Sequence, residues 1–304
     1  MAIKTKSQEL PLIGVVTVLY NSDDVLPGFF KSLASQINVN YKLYVYDNSP
    51  TDFGFKLAQE LSEKYSIDTV CVFNNSNYGV ARGNNQGILQ AIADGCDYVL
   101  LANNDTEFAE NAIFELYSET IKNADLVATS KIMYYEKPSM IWYAGGHINS
   151  WLMRTPHYGL KENDVGQFDG QVYVGYAPTC FMLINSEVFS EVGLMDEDYF
   201  VYSDDTDFVW RLNSKSIKIR FVSSSVVLHK VSSSTGGERS LFTIYYTNRN
   251  RIFFIRKNFE GLRYLFAISY IFFTRIIQLS KLPWDGFKTG WKGVRDGFRM
   301  EIKA

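Results

Sequence analysis

Short apolar runs alternate with longer segments of helical periodicity over the first hundred residues. The first run, Leu12–Leu19, consists almost entirely of apolar and β-branched residues, which is typical of a strand buried on both faces. The same pattern predicts strands at residues 41–46, Thr69–Phe73 and Tyr98–Ala102, and helices at residues 25–36, 55–64 and Gly79–Ala93. Alternation at this spacing indicates an α/β fold with a mainly parallel sheet flanked by helices.

The middle of the chain has shorter apolar runs, separated by segments rich in Gly, Asn and Asp. The runs predict strands at residues 126–135, 140–144, 172–174, 181–184, 217–222 and 225–228, with short helices at residues 186–192 and 206–212. Because these strands are separated by loops and not by long helices, we expect a mixed extension of the sheet. One face of that extension should be open and built from loops.

The pattern changes again after Ser240, where two aromatic-rich helices are predicted at residues 242–257 and Gly261–Leu279. The second is about long enough to cross a bilayer, but it carries Arg263 and Arg275, so we favour an interfacial helix over a span. We therefore expect a domain of residues 1–240, with halves at 1–107 and 108–240, and a helical region at residues 241–304.

Charge is distributed unevenly along this 304-residue chain, whose formal net charge is −3. Residues 242–304 carry twelve Lys and Arg against four Asp and Glu, a balance of +8, which leaves −11 for the rest. An acidic body suits a bound cation, and a basic aromatic tail suits an anionic partner such as a membrane surface. The chain contains no nucleic-acid-binding motif, so we expect no nucleic acid partner.

Three cysteines, Cys71, Cys96 and Cys180, lie in apolar or strand-like surroundings and form no CxxC pair. An odd number without metal-ligand spacing favours reduced thiols in a cytoplasmic protein. The first six residues lead into polar positions and not into an apolar core, which predicts that no signal peptide is present.

Polar residues follow all four of the first predicted strands. They are Tyr20 and Asn21, Asp47 and Asn48, residues 74–77, and residues 103–106. Ligands of parallel sheets bind outside the carboxyl ends of the strands, so these segments should meet at one site. Turn chemistry explains each segment by itself but explains four together only weakly.

The fourth of these segments, Asn103-Asn104-Asp105, offers the carboxylate and amide oxygens that Mg²⁺ or Mn²⁺ prefers. A cation there would neutralise a diphosphate and polarise it as a leaving group. Taken alone, a strand-end turn is the better explanation. His229 follows another apolar run and gains interest only because it could complete such a cation site.

Three carboxylates crowd the segment Asp204-Asp205-Thr206-Asp207. Their mutual repulsion would raise the pKa of one of them, as a general base requires. An acidic helix start explains the segment equally well when it is considered alone.

Together these motifs resemble glycosyltransferase family 2, the inverting enzymes of the GT-A fold, and within it the bacterial rhamnosyltransferase-like members. The resemblance covers roughly residues 11–257 and is carried by residues 16–21, Asp47-Asn48-Ser49, residues 77–87, Asn103-Asn104-Asp105, residues 202–207 with Arg211, and His229 with Ser232 and Ser234. It depends on the combination, because no single motif is decisive. Two positions depart from the family pattern. Asn103 stands where Asp is frequent, and Asp204 stands where Glu is usual.

The resemblance assigns roles to individual residues. Asp205 would be the catalytic base, and Asp105 with His229 would hold Mg²⁺ or Mn²⁺. Nucleotide-sugar contacts would come from Thr17, Tyr20, Asn21, Asp47, Asn48, Asn77, Gly79, Arg82, Asn85, Asn103, Asn104, Asp204, Asp207 and Arg211. Arg211 is equally well explained as a structural partner of the acidic cluster.

A second set of aromatic and glycine residues, in residues 142–176, suits contacts with a sugar. Aromatic rings stack on sugar faces and glycines allow close approach, so these residues could contact the donor sugar or the acceptor. They are Trp142, Gly145, Gly146 and Tyr176, with Trp151 a further candidate. A loop around core aromatic residues explains them at least as well.

By this resemblance the chain is a metal-dependent inverting hexosyltransferase of bacterial surface-polysaccharide synthesis. Residues 1–107 would bind the nucleotide-diphosphate sugar and residues 108–240 the acceptor. The preferred donor is dTDP-rhamnose, with UDP-galactose, UDP-glucose and furanose donors open. The acceptor would be a polyprenyl-diphosphate-linked saccharide at the inner face of the cell membrane. The helical region would lie on anionic lipid, pack on the body or form a homodimer.

Two other classes of function compete with sugar transfer. A nucleotidyltransferase needs a glycine-rich and basic loop after the first strand, but the segment from Tyr20 to Asp24 is acidic. A non-catalytic saccharide-binding protein would have no need of the acidic motifs. Pyrophosphate release would favour the first, and tight nucleotide-sugar binding without turnover would favour the second.

Overall fold

The computed structural model describes residues 10–231 and 240–302. Within them, ten strands form a single sheet. The strands are β1 Leu12–Leu19, β2 Asn40–Asp47, β3 Thr69–Phe73, β4 Tyr98–Ala102, β5 Thr106–Phe108, β6 Val127–Tyr134, β7 Lys137–Tyr143, β8 Tyr173–Val174, β9 Phe181–Asn185 and β10 Ile219–His229. Ser232 and Ser234, which the sequence motif includes, lie outside the described residues.

Nine α-helices accompany the sheet in the same part of the chain. They are α1 Leu26–Ala34, α2 Phe53–Tyr65, α3 Gly79–Ala93, α4 Ala112–Asn123, α5 Val188–Val192, α6 Asp204–Ser214, α7 Leu241–Asn258, α8 Gly261–Leu279 and α9 Trp284–Arg299. A short 3₁₀ turn at Glu197–Tyr199 precedes α6.

The sheet runs in the order β3-β2-β1-β4-β9-β6-β10-β5, with β7 paired to β6 and β8 paired to β10. The first four strands in this order are parallel, whereas β9 is antiparallel to both β4 and β6. The expected mixed and mainly parallel sheet is therefore confirmed. Because β1, β2 and β4 are parallel, their carboxyl ends lie at the same edge of the sheet, where the site forms.

The predicted boundary between two strands near residue 224 is wrong. β10 is one strand, paired with β6 along its length, and its register shifts between Val222 and Val226. The three serines at positions 223–225 form this irregularity, which interrupts the hydrophobic pattern and made one strand resemble two. Cys71, Cys96 and Cys180 are free thiols, as their spacing predicts.

Two apolar clusters hold the described structure together. The larger lies on the sheet and the helices of residues 13–227. The smaller is centred on the α7 residues 252–255, and it includes Met153 and Tyr199 of the preceding domain. The fully buried Tyr199 ring lies 5.1 Å from Phe253 between ring centroids. Helix α7 is therefore packed on the body through shared apolar residues.

Helix α9, which the sequence pattern did not predict, packs closely on α7 through its glycines. A Cβ at Gly297 would lie 2.4 Å from the carbonyl oxygen of Arg249, and one at Gly293 would lie 2.5 Å from that of Tyr245. Only glycine allows the two helix backbones to approach this closely. Glycine is also a poor helix former, which explains why the local pattern gave no helix here.

Helix α8 is the least buried of the three C-terminal helices. Its apolar side chains at positions 262, 265, 266, 272, 273, 276 and 277 are exposed, and they follow the spacing of one helix face. By length and composition alone, this helix could cross a membrane, and only 17 % of its most apolar stretch is buried. The expected apolar face is therefore present and largely uncovered by the described residues.

Candidate active site

A cavity of about 350 Å³ opens at the carboxyl ends of β1, β2 and β4. It is lined by Val18, Tyr20, Asn48, Asn77, Gly79, Val80, Asn84, Asn103, Asn104, Asp105, Phe200, Val201 and Phe242. Segments that follow four separate strands meet there, together with the loop before α6 and the start of α7. The sequence placed seven of the thirteen at the site, and Asn84, Phe200, Val201 and Phe242 are among those it did not.

Hydrogen bonds hold the polar wall of this cavity. The Asn104 amide donates to the Val18 carbonyl at 2.7 Å and to the Ser22 hydroxyl at 3.1 Å. The Asn48 amide donates to the Gly79 carbonyl at 3.0 Å, across to the start of α3. These bonds fix the ends of neighbouring elements, so the cavity is formed by the chain itself.

Several predicted nucleotide contacts lie behind or beside this cavity and not in its lining. Thr17 and Asp47 are buried, and Thr17 Oγ1 and Asp47 Oδ2 have no hydrogen-bond partner within the described ranges. Asn21 lies next to the cavity residue Tyr20, and its N–H donates to the Ser49 hydroxyl. Burial raises the pKa of Asp47, so its carboxyl is less readily ionised than an exposed one.

Two other predicted contacts of α3 face the 195–197 segment. Asn85 accepts from the Met195 N–H at 3.0 Å and donates to the Met195 carbonyl at 2.8 Å. The Arg82 guanidinium stacks 4.2 Å from the Tyr78 ring centroid and lies 3.9 Å from Glu197. Asn85 therefore ties α3 to the segment that precedes α6, while Arg82 stays half exposed near the cavity.

Asp105 and His229 come together across the β5–β10 pair. His229 Nε2 lies 3.3 Å from Asp105 Oδ1, and both side chains are buried. The other ring nitrogen of His229, Nδ1, is buried without a hydrogen-bond partner in residues 10–231 and 240–302. Two side chains separated by 124 positions thus present an oxygen and a nitrogen to one point at the cavity wall.

Asp205 lies at the start of α6, and its carboxylate is held by two neighbours. The Tyr176 hydroxyl donates to Oδ2 at 2.5 Å, and the Thr206 N–H donates to Oδ1 at 2.6 Å. Both bonds fix the orientation of the carboxylate. Tyr176 was predicted only as a weak sugar contact, and its bond to Asp205 was not foreseen.

A series of ring contacts connects the Asp105–His229 pair to Asp205. The Trp142 ring meets the His229 ring at 4.6 Å and the His157 ring at 4.8 Å, and His157 stacks on Tyr176 at 5.8 Å. Burial lowers the pKa of His157, which keeps this imidazole neutral. The sequence gave no signal for His157, because its ring partners come from β7 and from Tyr176, which only the folded structure brings together.

The two carboxylates beside Asp205 have different surroundings. Asp207 is fully buried and accepts from Arg211 Nε at 2.9 Å, Lys257 Nζ at 2.8 Å and the Tyr199 hydroxyl at 3.1 Å. Asp207 and Arg211 therefore belong to a buried ion-pair cluster and do not line the large cavity, where nucleotide contacts were predicted. Asp204 is buried, and burial together with the Asp205 charge raises the pKa of Asp204 to about 7.

The loop before α6, residues 200–203, has an unusual backbone. Phe200, Tyr202 and Ser203 have φ values of 66°, 63° and 62°, a region that side chains other than glycine seldom occupy. The Asn250 amide of α7 donates to the carbonyls of Tyr199, Val201 and Tyr202 at 3.0, 2.7 and 2.8 Å. Helix α7 therefore holds the loop that links the cavity to Asp205.

Gly79 is where the loop meets α3. Its φ is +80°, and a Cβ there would lie 2.4 Å from the Phe200 carbonyl oxygen. The next N–H, that of Val80, donates to this same oxygen at 2.7 Å. Glycine is needed because both the left-handed backbone and the contact exclude a side chain.

Gly145 and Gly146, the remaining predicted sugar contacts, lie beside Tyr176. The Gly146 carbonyl accepts from the Tyr176 N–H at 3.0 Å, and a Cβ at Gly146 would lie 3.3 Å from the Tyr176 ring. They do not line the large cavity but lie near Tyr176, whose hydroxyl donates to Asp205.

A mixed sheet with a cavity at the ends of its parallel strands, an acidic residue on that cavity and a carboxylate beyond it is the arrangement that the resemblance to GT-A glycosyltransferases predicts. The family model described as Glycosyl transferase family 2 matches residues 14–193. This is more than half of the chain, and the chain belongs to that family. The resemblance seen in the sequence is therefore confirmed.

Curated relatives agree with this membership. The chain is 23 % identical over 308 residues to the "Low-salt glycan biosynthesis hexosyltransferase Agl10" of Haloferax volcanii, which covers 99 % of this chain and 89 % of that protein. It is 23 % identical over 281 residues to the "dTDP-rhamnosyl transferase RfbF" of Shigella flexneri. This match covers 86 % of this chain and 87 % of that protein.

Solved structures share the fold at low identity. S. aureus TarS matches with a TM-score of 0.59 at 13 % identity, over 94 % of this chain and 48 % of that one. GalNAc-T7 with UDP, GalNAc and Mn²⁺ matches with a TM-score of 0.67 at 16 % identity, over 97 % of this chain and 55 % of GalNAc-T7. The mannosyltransferase PcManGT of Pyrobaculum calidifontis, in complex with GDP-Man and Mn²⁺, matches with a TM-score of 0.60 at 11 % identity. The match covers 97 % of this chain and 77 % of PcManGT. The chain thus spans about half the length of the first two, and these likenesses support the fold alone.

Proposed function

We propose that this chain transfers a sugar from a nucleotide-diphosphate donor to a hydroxyl of an acceptor, with inversion at the sugar carbon. The observation that carries the proposal is the loop of residues 200–203. Phe200 and Val201 line the large cavity, and the same loop leads directly into Asp205. A donor in the cavity would therefore present its sugar carbon towards the carboxylate.

A divalent cation, Mg²⁺ or Mn²⁺, fits Asp105 and His229. These side chains place Oδ1 and Nε2 3.3 Å apart, a separation that two ligands of one ion can have. Mg²⁺ sites of nucleotide enzymes often use only one or two carboxylates, with the substrate phosphates completing the shell. The cation would neutralise the diphosphate as it leaves. Asn104 and Asn103 line the same wall and would contact the diphosphate or the cation shell.

Asp205 is the general base in this proposal. Its carboxylate takes the proton of the acceptor hydroxyl while the acceptor oxygen bonds to the sugar carbon. The bond between that carbon and the diphosphate oxygen breaks on the opposite face, so a single displacement inverts the centre. Tyr176 holds the carboxylate in place through its 2.5 Å bond. Tyr20, Asn48, Asn77 and Gly79 would contact the nucleotide, since they line the cavity.

The donor and acceptor follow from weaker observations. A rhamnosyltransferase and a hexosyltransferase are both relatives over most of the chain, so dTDP-rhamnose is the first donor to test. Gly146 contacts Tyr176, and Trp142 is connected to Tyr176 through the His157 ring. Trp142, Gly145 and Gly146 would contact the sugar or acceptor. We propose a polyprenyl-diphosphate-linked saccharide as acceptor, because α8 has an exposed apolar face and packs on α7, the helix that holds the loop before Asp205.

That helix, α8, supports a peripheral position on an anionic membrane at the cytoplasmic face. Its exposed stripe includes Leu262, Leu265 and Phe273, at 85 %, 59 % and 65 % exposure. Lys281, Lys288 and Lys292 follow it along the chain and would meet lipid phosphates. A homodimer through this region remains an alternative prediction.

The experiment is a donor panel. The protein is incubated with dTDP-rhamnose, UDP-galactose or UDP-glucose, with Mn²⁺ or Mg²⁺, and a lipid-linked saccharide. Formation of an extended glycolipid whose new linkage has inverted anomeric configuration, observed by NMR, supports the proposal. A retained configuration contradicts the single displacement. Tight nucleotide-sugar binding with no transfer to any acceptor would instead favour a non-catalytic binding protein.

A further inference from the structure

A second, smaller cavity lies on the other side of residues 200–203, which we call the base loop because they lead into the proposed base Asp205. It measures about 80 Å³ and is lined by Ile148, Met153, Arg154, Thr155, Ser203, Thr206, Arg251 and Phe254. It shares no lining residue with the large cavity. Ser203 belongs to the base loop, and the Thr206 N–H and hydroxyl both donate to Asp205. The small cavity is therefore connected to the base through Thr206.

Three arginines gather at this cavity without a balancing carboxylate. Arg154 and Arg251 line it, and Arg275 of α8 is close enough to repel both charges. Among the described residues, no acidic side chain forms an ion pair with any of the three. Arg211 and Arg220 differ in this respect, since each is paired with an aspartate.

The surroundings of these arginines make an anion favourable. Burial, with the charges of Arg275 and Arg154, lowers the pKa of Arg251 to about 10, so it stays cationic at neutral pH. Arg275 donates to Asn248 at 3.2 Å, but its Nε is buried with no partner in the described part of the chain. Guanidinium groups in such positions bind phosphate oxygens through charge-assisted hydrogen bonds.

The remaining lining residues fit a phosphate group. Thr155 and Ser203 bring hydroxyls to the cavity that can donate to a phosphate oxygen, whereas the Thr206 hydroxyl already donates to Asp205. The volume equals that of two to three water molecules at roughly 30 Å³ each, enough for one phosphate group.

The apolar stripe of α8 begins beside this cavity. Trp151 precedes the lining residues Met153 and Arg154, and its ring lies 5.4 Å from the ring of the exposed Phe266 of α8. Arg275 lies on that helix too. A ligand with a phosphate group and a hydrocarbon chain could therefore occupy the cavity and the stripe at once.

We propose that Arg154, Arg251 and Arg275 bind the phosphate of a lipid-linked acceptor next to the base. The assignment rests on the proposed sugar transfer and adds where the acceptor's phosphate is held. Because the cavity touches Asp205 through Thr206, the accepting sugar is the one adjacent to the phosphate. The cluster would thus select acceptors by charge before any sugar contact is made.

Farnesyl diphosphate tests the site as a short soluble probe, with pyrophosphate and farnesol as comparisons. Binding is measured by calorimetry with a chelator present, so that no cation holds a diphosphate in the donor cavity. We expect wild-type protein to bind farnesyl diphosphate more tightly than pyrophosphate and to bind farnesol weakly. Arg251→Gln should weaken farnesyl diphosphate binding at least about tenfold, since a lost charge-assisted hydrogen bond costs that much.

Two further variants keep the test decisive. Arg154→Gln alters an exposed side chain at the cavity mouth, so it should weaken binding without affecting folding. Arg295→Gln is the matched control, because Arg295 is exposed and pairs with Asp296 away from the cavity. Unchanged farnesyl diphosphate binding in folded Arg251→Gln and Arg154→Gln would overturn the proposal. So would an effect on pyrophosphate alone, which would indicate a site for free phosphate.

The binding measurement needs neither donor nor turnover. Failure of the phosphate site would therefore leave sugar transfer untouched, and absence of transfer would leave the phosphate site untouched.

Discussion

Asp204 and Asp205 are neighbours in the chain with opposite surroundings. Asp205 accepts from Tyr176 and from the Thr206 N–H, and these bonds fix its orientation. Asp204 is buried beside it, and burial together with the Asp205 charge raises the pKa of Asp204 to about 7. Burial therefore favours the protonated form of Asp204.

The raised pKa of Asp204 predicts a pH dependence of stability. Between the unfolded value of 3.8 and about 7, the folded state binds the extra proton, so the free energy of unfolding falls as pH rises. The full shift corresponds to at most about 4 kcal/mol, at roughly 1.4 kcal/mol per pKa unit. Asp204→Asn should therefore stabilise the protein at pH 8 and change it little at pH 4.

Urea unfolding at pH 4, 6 and 8 measures this effect. If the wild type and Asp204→Asn lose stability equally between pH 4 and pH 8, another group is responsible and the burial argument fails for Asp204.

Single residues also show how far the sequence could identify the site. Asp105 and Asp205 were recognisable because each stands in a short polar motif at the end or start of an element. His157 and the role of Tyr176 were not, since their contacts depend on how β7, β8 and the loops between them fold together. Motifs encode local chemistry, whereas ring contacts between segments depend on tertiary structure.

At the level of elements, the base loop depends on helix α7. Residues 200–203 have a strained backbone, and Asn250 satisfies three carbonyls in or beside them. Strain of this kind persists only where surrounding structure enforces it. Helix α7 is therefore part of the proposed catalytic unit, although the family match ends at residue 193.

Replacing Asn250 with Ala should loosen this loop. The Val201 and Tyr202 carbonyls lose the Asn250 donor, while the Tyr199 carbonyl still accepts from Arg249 at 2.6 Å. Each buried unsatisfied group costs about 1–3 kcal/mol. We expect weaker nucleotide-sugar binding, because Phe200 and Val201 line the cavity, together with slower transfer. Thr247→Ala is the control, as Thr247 donates only within its own helix. Equal donor affinity in wild type and Asn250→Ala, by calorimetry, would show that α7 does not hold the loop.

Local pattern predicted some elements better than others. The bounds of β1, β3, β4, α3 and α8 agree with the sequence pattern, because each is a strongly periodic or continuous apolar segment. The pattern missed α4, β5 and α9. Helix α9 has glycines at four positions where it meets α7 or its neighbours, and close packing outweighs their poor helix propensity.

At the scale of the whole molecule, charge and apolar surface suggest one orientation on a membrane. The exposed stripe of α8, the small cavity and the arginines lie close together, with basic residues following in α9. An acceptor anchored in lipid would then approach Asp205 from the membrane side. The donor would enter the large cavity on the other side of the base loop.

Vesicle binding tests this orientation. Leu265→Asp with Phe273→Asp should reduce co-sedimentation with phosphatidylglycerol vesicles several-fold, because two exposed apolar side chains become charged. The equally exposed Leu89 of α3 provides the control variant Leu89→Asp, which should bind normally. Added salt should also weaken wild-type binding, since lysines contribute about 1 kcal/mol each near an anionic surface. Equal binding to neutral phosphatidylcholine vesicles would contradict the proposed attraction between the lysines and anionic lipid.

The most direct test of the account is the turnover of Asp205→Asn. Sugar transfer to a lipid-linked acceptor is measured for the wild type, Asp205→Asn and Asp68→Asn, the last an exposed aspartate just before β3, at the opposite edge of the sheet. Loss of the base should reduce turnover by about 10²- to 10⁴-fold with donor affinity retained, and Asp68→Asn should match the wild type. Wild-type turnover in Asp205→Asn would contradict the central claim.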